Sequence, residues 1–130
     1  MSEIMVPVSP GEVIDKITIL RIKSARMTDA EKLTNVRREL HLLEKTWAKS
    51  PYGKHDISMH EAALQAVNER LWDIEDRIRD QERIAAFDAT FISLARSVYI
   101  ENDERAVIKK RINVTLGSTI VEEKSYAAYR

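Results

Sequence analysis

The chain has 130 residues, 21 Lys plus Arg against 21 Asp plus Glu, no cysteine, three glycines and three prolines. Zero formal net charge argues against a nucleic-acid binder held by counterion release. The lack of cysteine excludes disulfides, thiolate catalysis and Cys-ligated metal centres, and so few glycines exclude a glycine-rich phosphate loop.

A composition 32% charged and 6% aromatic suits long amphipathic helices, and the length suits a single helical domain over residues 1–130. No apolar run approaches the roughly 20 residues of a membrane span. The segment MSEIMVPVSP lacks the basic region and long apolar stretch of a signal peptide. The expectation is a cytoplasmic protein without membrane, nucleic-acid, metal or cofactor partners.

Ser9-Pro10-Gly11-Glu12 reads as a capping box with proline at the first helical position, opening a helix over residues 10–27. Val13, Ile17, Leu20 and Met27 form one apolar stripe flanked by Ile14. Ile19 and Ile22 lie nearly opposite, beside Asp15 and Arg26. A helix that is apolar on two sides is sandwiched, either within the monomer or between two protomers. Ile19 and Ile22 are therefore the candidate interface of a homodimer. Asp15, on that apolar strip, is expected to pair with Arg26 or with a neighbouring chain.

Thr28-Asp29-Ala30-Glu31 is a second capping box, for a helix over residues 28–49 whose seam is Leu33, Val36, Leu40, Leu43 and Trp47. Pro51 and Gly53 mark the loop that follows. Ser58-Met59-His60-Glu61 is expected to cap a third helix over 58–87, with Leu64, Val67, Leu71, Ile74, Ile78 and Ala85 as its seam. Asp88 caps a fourth over 88–116, and Gly117 ends it in a left-handed conformation. Each of the last two helices runs to about 28 residues, or roughly 42 Å at 1.5 Å per residue. That exceeds the roughly 35 Å width of a compact chain of this size. The expected fold is all-α, an elongated antiparallel bundle of about four helices with short extended N- and C-terminal segments.

Met5-Val6-Pro7-Val8 and Thr119-Ile120-Val121 are candidates for those extended segments, covering the bundle or pairing as a ribbon. The tail 118–130, with Tyr126 and Tyr129, is either an arm for a protein partner or frayed.

On the fourth helix a polar stripe stands where a core is expected. Asn102, Arg105, Lys109 and Asn113 share a face with Phe91, Ala95, Val98, Ala106, Ile112 and Leu116. A core-facing cation is costly unless paired. Three explanations stay open. The stripe is an internal ion-pair network, with Glu75 or Glu82 of the third helix as partners. Alternatively, it holds an acidic small molecule, a carboxylate or phosphate, with Arg105 and Lys109 as anion holders, Asn102 and Asn113 orienting it and Glu75 as acid or base. The third explanation is a solvated face created by a helix break at Glu101-Asn102-Asp103. The histidines His41, His55 and His60 lack the spacing of a ligand set, and no hydrolase nucleophile signature appears.

The segments VSPGEVIDKITILRIK, LTNVRRELHLLEK, VNERLWDIEDRIRDQE, NDERAVIKKRIN and VEEKSY resemble a family of small bacterial proteins of unknown function across nearly the whole chain. Asn35-Val36-Arg37-Arg38-Glu39 also resembles a segment of the all-helical chorismate mutases, with Asn35 where those enzymes have aspartate. Asp15 falls where their first helix carries an arginine, so no catalytic residue is carried over. Two functions follow as expectations: a non-enzymatic helical oligomerisation or adaptor protein, and a small-molecule site inside the bundle.

Overall fold

The computed structural model describes residues 2–130. It contains four helices, α1 (Pro10–Arg26), α2 (Ala30–Lys49), α3 (Ser58–Arg83) and α4 (Ala89–Thr115), and no strand among the described residues. The chain is an all-α bundle.

Local chemistry sets most of the helix ends. The Ser9 hydroxyl accepts the Glu12 amide at 3.2 Å, and Pro10 fills the first turn where no amide donor is needed. The Asp29 carboxylate, one residue later than expected, caps α2 by accepting the Lys32 amide at 2.9 Å. A carboxylate there also complements the positive end of the helix dipole.

The start of α3 differs from the sequence expectation. Ser58 is already helical, and its amide and hydroxyl donate to Asp56 at 3.0 and 2.7 Å. Those bonds hold the Asp56 carboxyl below its usual value. At its far end α3 stops at Arg83, not near Phe87. Ala85 turns left-handed at φ 53°, while the Ala86 amide donates to the Gln81 carbonyl and the Ala85 amide to the Glu82 carbonyl. This is the closing pattern usually built on glycine. Ala85 therefore belongs to the turn instead of the seam. The same pattern ends α4 with the expected residue, Gly117 at φ 68°. Asp88 caps the start of α4 by accepting the Phe91 amide. No break occurs at Glu101 to Asp103, because α4 runs through it.

α3 and α4 form a hairpin, tied at mid-length by Arg70 and Glu101 at 2.9 Å. α1 packs on all three other helices, whereas α2 packs on α1 alone. The core gathers Ile14 and Ile17 of α1, Ile57, Leu64 and Val67 at the start of α3, and Ile108 and Ile112 of α4. Arg21 ties α1 to Glu44 of α2 and Glu61 of α3. The two apolar sides of α1 are thus both used inside the monomer. Ile22 is only 3% exposed and Ile19 is half-buried, so Ile22 is withdrawn from the protomer interface expected for it.

The extended ends do not pair as a ribbon. Residues 4–6 stand exposed, and the C-terminal tail turns back along α4 without regular structure.

Candidate functional site

The polar stripe faces the N-terminal half of α1. Asn113 is 1% exposed, and its Oδ1 accepts the Gly11 amide at 2.7 Å, satisfying one of the unpaired donors at the start of α1. The helices cross so closely here that a Cβ on Gly11 would lie 2.5 Å from the Lys109 carbonyl oxygen. Only glycine fits at that position without moving α1 off α4.

One turn further along, Asp15 is 1% exposed and takes two bonds from the Arg105 guanidinium, Nε at 2.9 Å and a second from a terminal nitrogen. Asn68 of α3 donates to the same carboxylate at 3.0 Å and to the Thr18 hydroxyl at 2.9 Å. The Thr18 hydroxyl in turn donates to the Asp15 carbonyl. A buried carboxylate is tolerable only when its lone pairs are satisfied in this way. The hydrogen bond to Asp15 raises the Arg105 pKa further above its already high value.

Lys109 reaches Glu12 at 2.7 Å, Glu122 of the tail at 3.2 Å and Asp15 at 3.8 Å. Burial works against its charge, but the bond to Glu12 and the field of Asp15 outweigh it, and its pKa stands above 10.5. The stabilisation from this ammonium is complete below 10.5 and is lost as pH rises through the higher folded value.

The acids expected to face the stripe are elsewhere. Glu75 pairs with Arg79 on its own helix at 3.5 Å, and Glu82 is exposed. The Arg70–Glu101 pair fixes the hairpin register. In that register Glu75 lies more than a turn, and Glu82 about three turns, toward the connection, while Arg105 lies a turn the other way. Asp15 likewise pairs with Arg105 and not with Arg26, which goes to Asp73 at 2.5 Å. The missed partners Glu12 and Asp15 had a signal in the sequence. An aspartate on a doubly apolar helix must meet a cation, and Arg105 and Lys109 were the cations on an otherwise apolar face.

Beside this network a solvent-open cavity of about 630 Å³ lies between α4 and the tail. Tyr99, Asn102, Asp103, Arg105 and Lys109 line it from α4, Glu12 from α1, and Glu122, Lys124, Tyr126 and Tyr129 from the tail. The tail is held down by Glu122 on Lys109, by Glu123 on Lys110, by the Tyr129 hydroxyl donating to Asp103 at 2.5 Å, and by edge-to-face packing of Tyr99 and Tyr129 at 4.9 Å. The Arg105 nitrogen not used by Asp15 donates to the Asn102 side-chain oxygen Oδ1 at 3.4 Å, beside this cavity. Three members of the stripe therefore do different work: Asn113 is structural and buried, whereas Arg105 and Lys109 also border open space.

Bonds from Lys124 and Lys109 hold the Glu122 carboxyl below the usual 4.5. A depressed carboxyl contributes its stabilisation above 4.5 and loses it as pH falls through the lower folded value. In a carbon-13 NMR titration the Glu122 carboxyl is expected to show a midpoint under 4.5, with tail resonances moving in step. A midpoint at or above 4.5 would mean that the carboxylate is not seated on Lys109.

The family of unknown function DUF6165 matches residues 4–129. The chain belongs to this family. No curated protein and no solved structure matches it. The likeness of Asn35 to Glu39 to the chorismate mutases finds no support in these comparisons. In this DUF6165 chain Asn35, Arg37 and Arg38 lie exposed on α2, apart from the cavity. Among the described residues no three His, Asp or Glu side chains are grouped to hold a metal ion, and no helix is long and apolar enough to cross a membrane.

Proposed function

We propose that the protein binds a small molecule bearing a carboxylate or phosphate in the cavity between α4 and the tail. The observation that carries this reading is the seat of Glu122. The Glu122 carboxylate, 44% exposed on a segment without regular structure, rests on Lys109 at the cavity edge, where an incoming anion can take its place. Arg105 is pre-oriented by Asp15 and offers its remaining nitrogen beside Asn102. A volume of about 630 Å³ suits a metabolite-sized ligand. Arg105 and Lys109 are fixed in advance by Asp15 and Glu12, so on binding the Glu122 carboxylate is the group that has to move.

The test is thermal unfolding in inorganic phosphate and in pentanoate, each against chloride at matched ionic strength. Saturating protection is expected, worth about 2.7 kcal/mol at a hundred times the dissociation constant. The double variant Asp15→Asn with Arg105→Gln removes the guanidinium without stranding a buried charge, and should lose most of that protection. Equal responses to phosphate, pentanoate and chloride would defeat the reading. We take the protein to be cytoplasmic.

A second reading, a homodimer or adaptor, draws on different residues from those first expected. Ile4 and Met5 are 88% and 85% exposed, and Val107 and Val114 leave apolar surface on the outer side of α4. Light scattering at micromolar concentration should then give twice the 15.0 kDa chain mass, falling to the monomer mass on Ile4→Ser with Val6→Ser. A monomer throughout would count against it.

A further inference from the structure

Resting on the cavity being a ligand site, we propose that its ligand is a zwitterion, with a cationic group and a carboxylate or phosphate on one small molecule. Six charged side chains line the cavity, Arg105, Lys109 and Lys124 against Glu12, Asp103 and Glu122, and Asp15 behind them pairs with Arg105. Glu12 is committed to Lys109 at 2.7 Å, and Glu122 is shared between Lys109 and Lys124. Asp103 differs from both. The one side-chain hydrogen bond to its carboxylate among the described residues is from the Tyr129 hydroxyl to Oδ2, and no described cation lies within ion-pair distance of it. A simple anion seated on Lys109 would share the cavity with this carboxylate, whereas a cationic group at the ligand's other end would answer it.

The tail itself supplies a stand-in for the anionic end and, outside the cavity, a cation beside the ring at the other end. Glu122 shows that the lysine end accepts a carboxylate. At the other end the Arg130 guanidinium lies over the Tyr129 ring, 5.6 Å from its centre, so the ring bonded to Asp103 already takes a cation on its face. Tyr99 meets Tyr129 edge-on, and both rings line the cavity. Asp103 and Lys109 are six residues apart on one helix, a rise of about 9 Å. That separation asks for charges at opposite ends of a short aliphatic chain.

The experiment compares 5-aminopentanoate, pentanoate and pentylamine by calorimetry at constant ionic strength, on the native chain and on Asp103→Asn. Asparagine keeps an oxygen for the Tyr129 hydroxyl, so the tail stays docked. The expected result is 5-aminopentanoate binding about five-fold tighter than pentanoate, the worth of one partly exposed charge pair, with Asp103→Asn bringing the two level. Pentanoate binding as tightly as the zwitterion to the native chain would overturn this inference and leave the anion site standing. Pentylamine binding best of the three would overturn it in favour of a cation site. Binding of none would overturn the ligand site as well.

Discussion

Replacing Asp15 with alanine is expected to lower the unfolding free energy by about 3–5 kcal/mol, the cost of stranding one partner of a buried ion pair. Arg105 loses both bonds from its fork, Lys109 loses the nearby negative field, and Asn68 loses one of its two acceptors. For a chain of this length the melting temperature should fall on the order of 10–20 °C. Asp15→Asn retains an acceptor oxygen for Arg105 and should cost less. Denaturant titration separates the two variants, and an alanine variant within about 1 kcal/mol of the native chain would show that water already screens the pair.

The second large effect belongs to Leu64, which has no exposed surface and lies among Ile14, Ile17, Ile57, Val67, Ile108 and Ile112. Leu64→Ala is expected to cost about 2–5 kcal/mol, through lost burial and the cavity left behind. Because Leu64 does not line the cleft between α4 and the tail, the variant should keep the native response to phosphate and pentanoate at temperatures where it is folded. Asp15→Ala should lose that response together with stability. Comparing the two distinguishes loss of fold from loss of the charge arrangement. If Leu64→Ala abolished the ligand response while folded, the cleft would not be the binding site.

Much of the helical framework was legible because its ends are written in short-range chemistry. Ser9-Pro10, Asp88 and Gly117 do in space what their types and positions imply. The misplacements were small where two cap-forming residues compete within a few positions. Asp29 acted instead of Thr28, and at α3 the cap position fell to Ile57, which has no side-chain bond to offer, with Asp56 just outside it accepting from Ser58. Ala85 was illegible for another reason: alanine gives no sign of a left-handed turn, and its place in the seam pointed to helix.

The site was legible on one side only. Periodicity placed Asn102, Arg105, Lys109 and Asn113 on a single face, but periodicity reports which residues face inward and not which neighbour they meet. The nearest helix in sequence, α3, offered Glu75 and Glu82, and hairpin register excludes them. The partners came from α1, at the opposite end of the chain. The tail was less legible still, since its hold on α4 depends on scattered single contacts, Glu122, Glu123 and Tyr129, which make no periodic pattern.

That long-range pairing has a consequence for how the protein is made. Gly11, Glu12 and Asp15 find their α4 partners 102, 97 and 90 residues later. At about 5–20 residues per second of synthesis, roughly 5–20 s pass between the appearance of α1 and that of α4. During that interval α2 and then α3 can pack on α1, but Ile14 and Ile17 still lack Ile108 and Ile112, and Asp15 has Asn68 but not Arg105. The central helix is thus the first made and the last completed, and its buried carboxylate gains its cations only when α4 arrives.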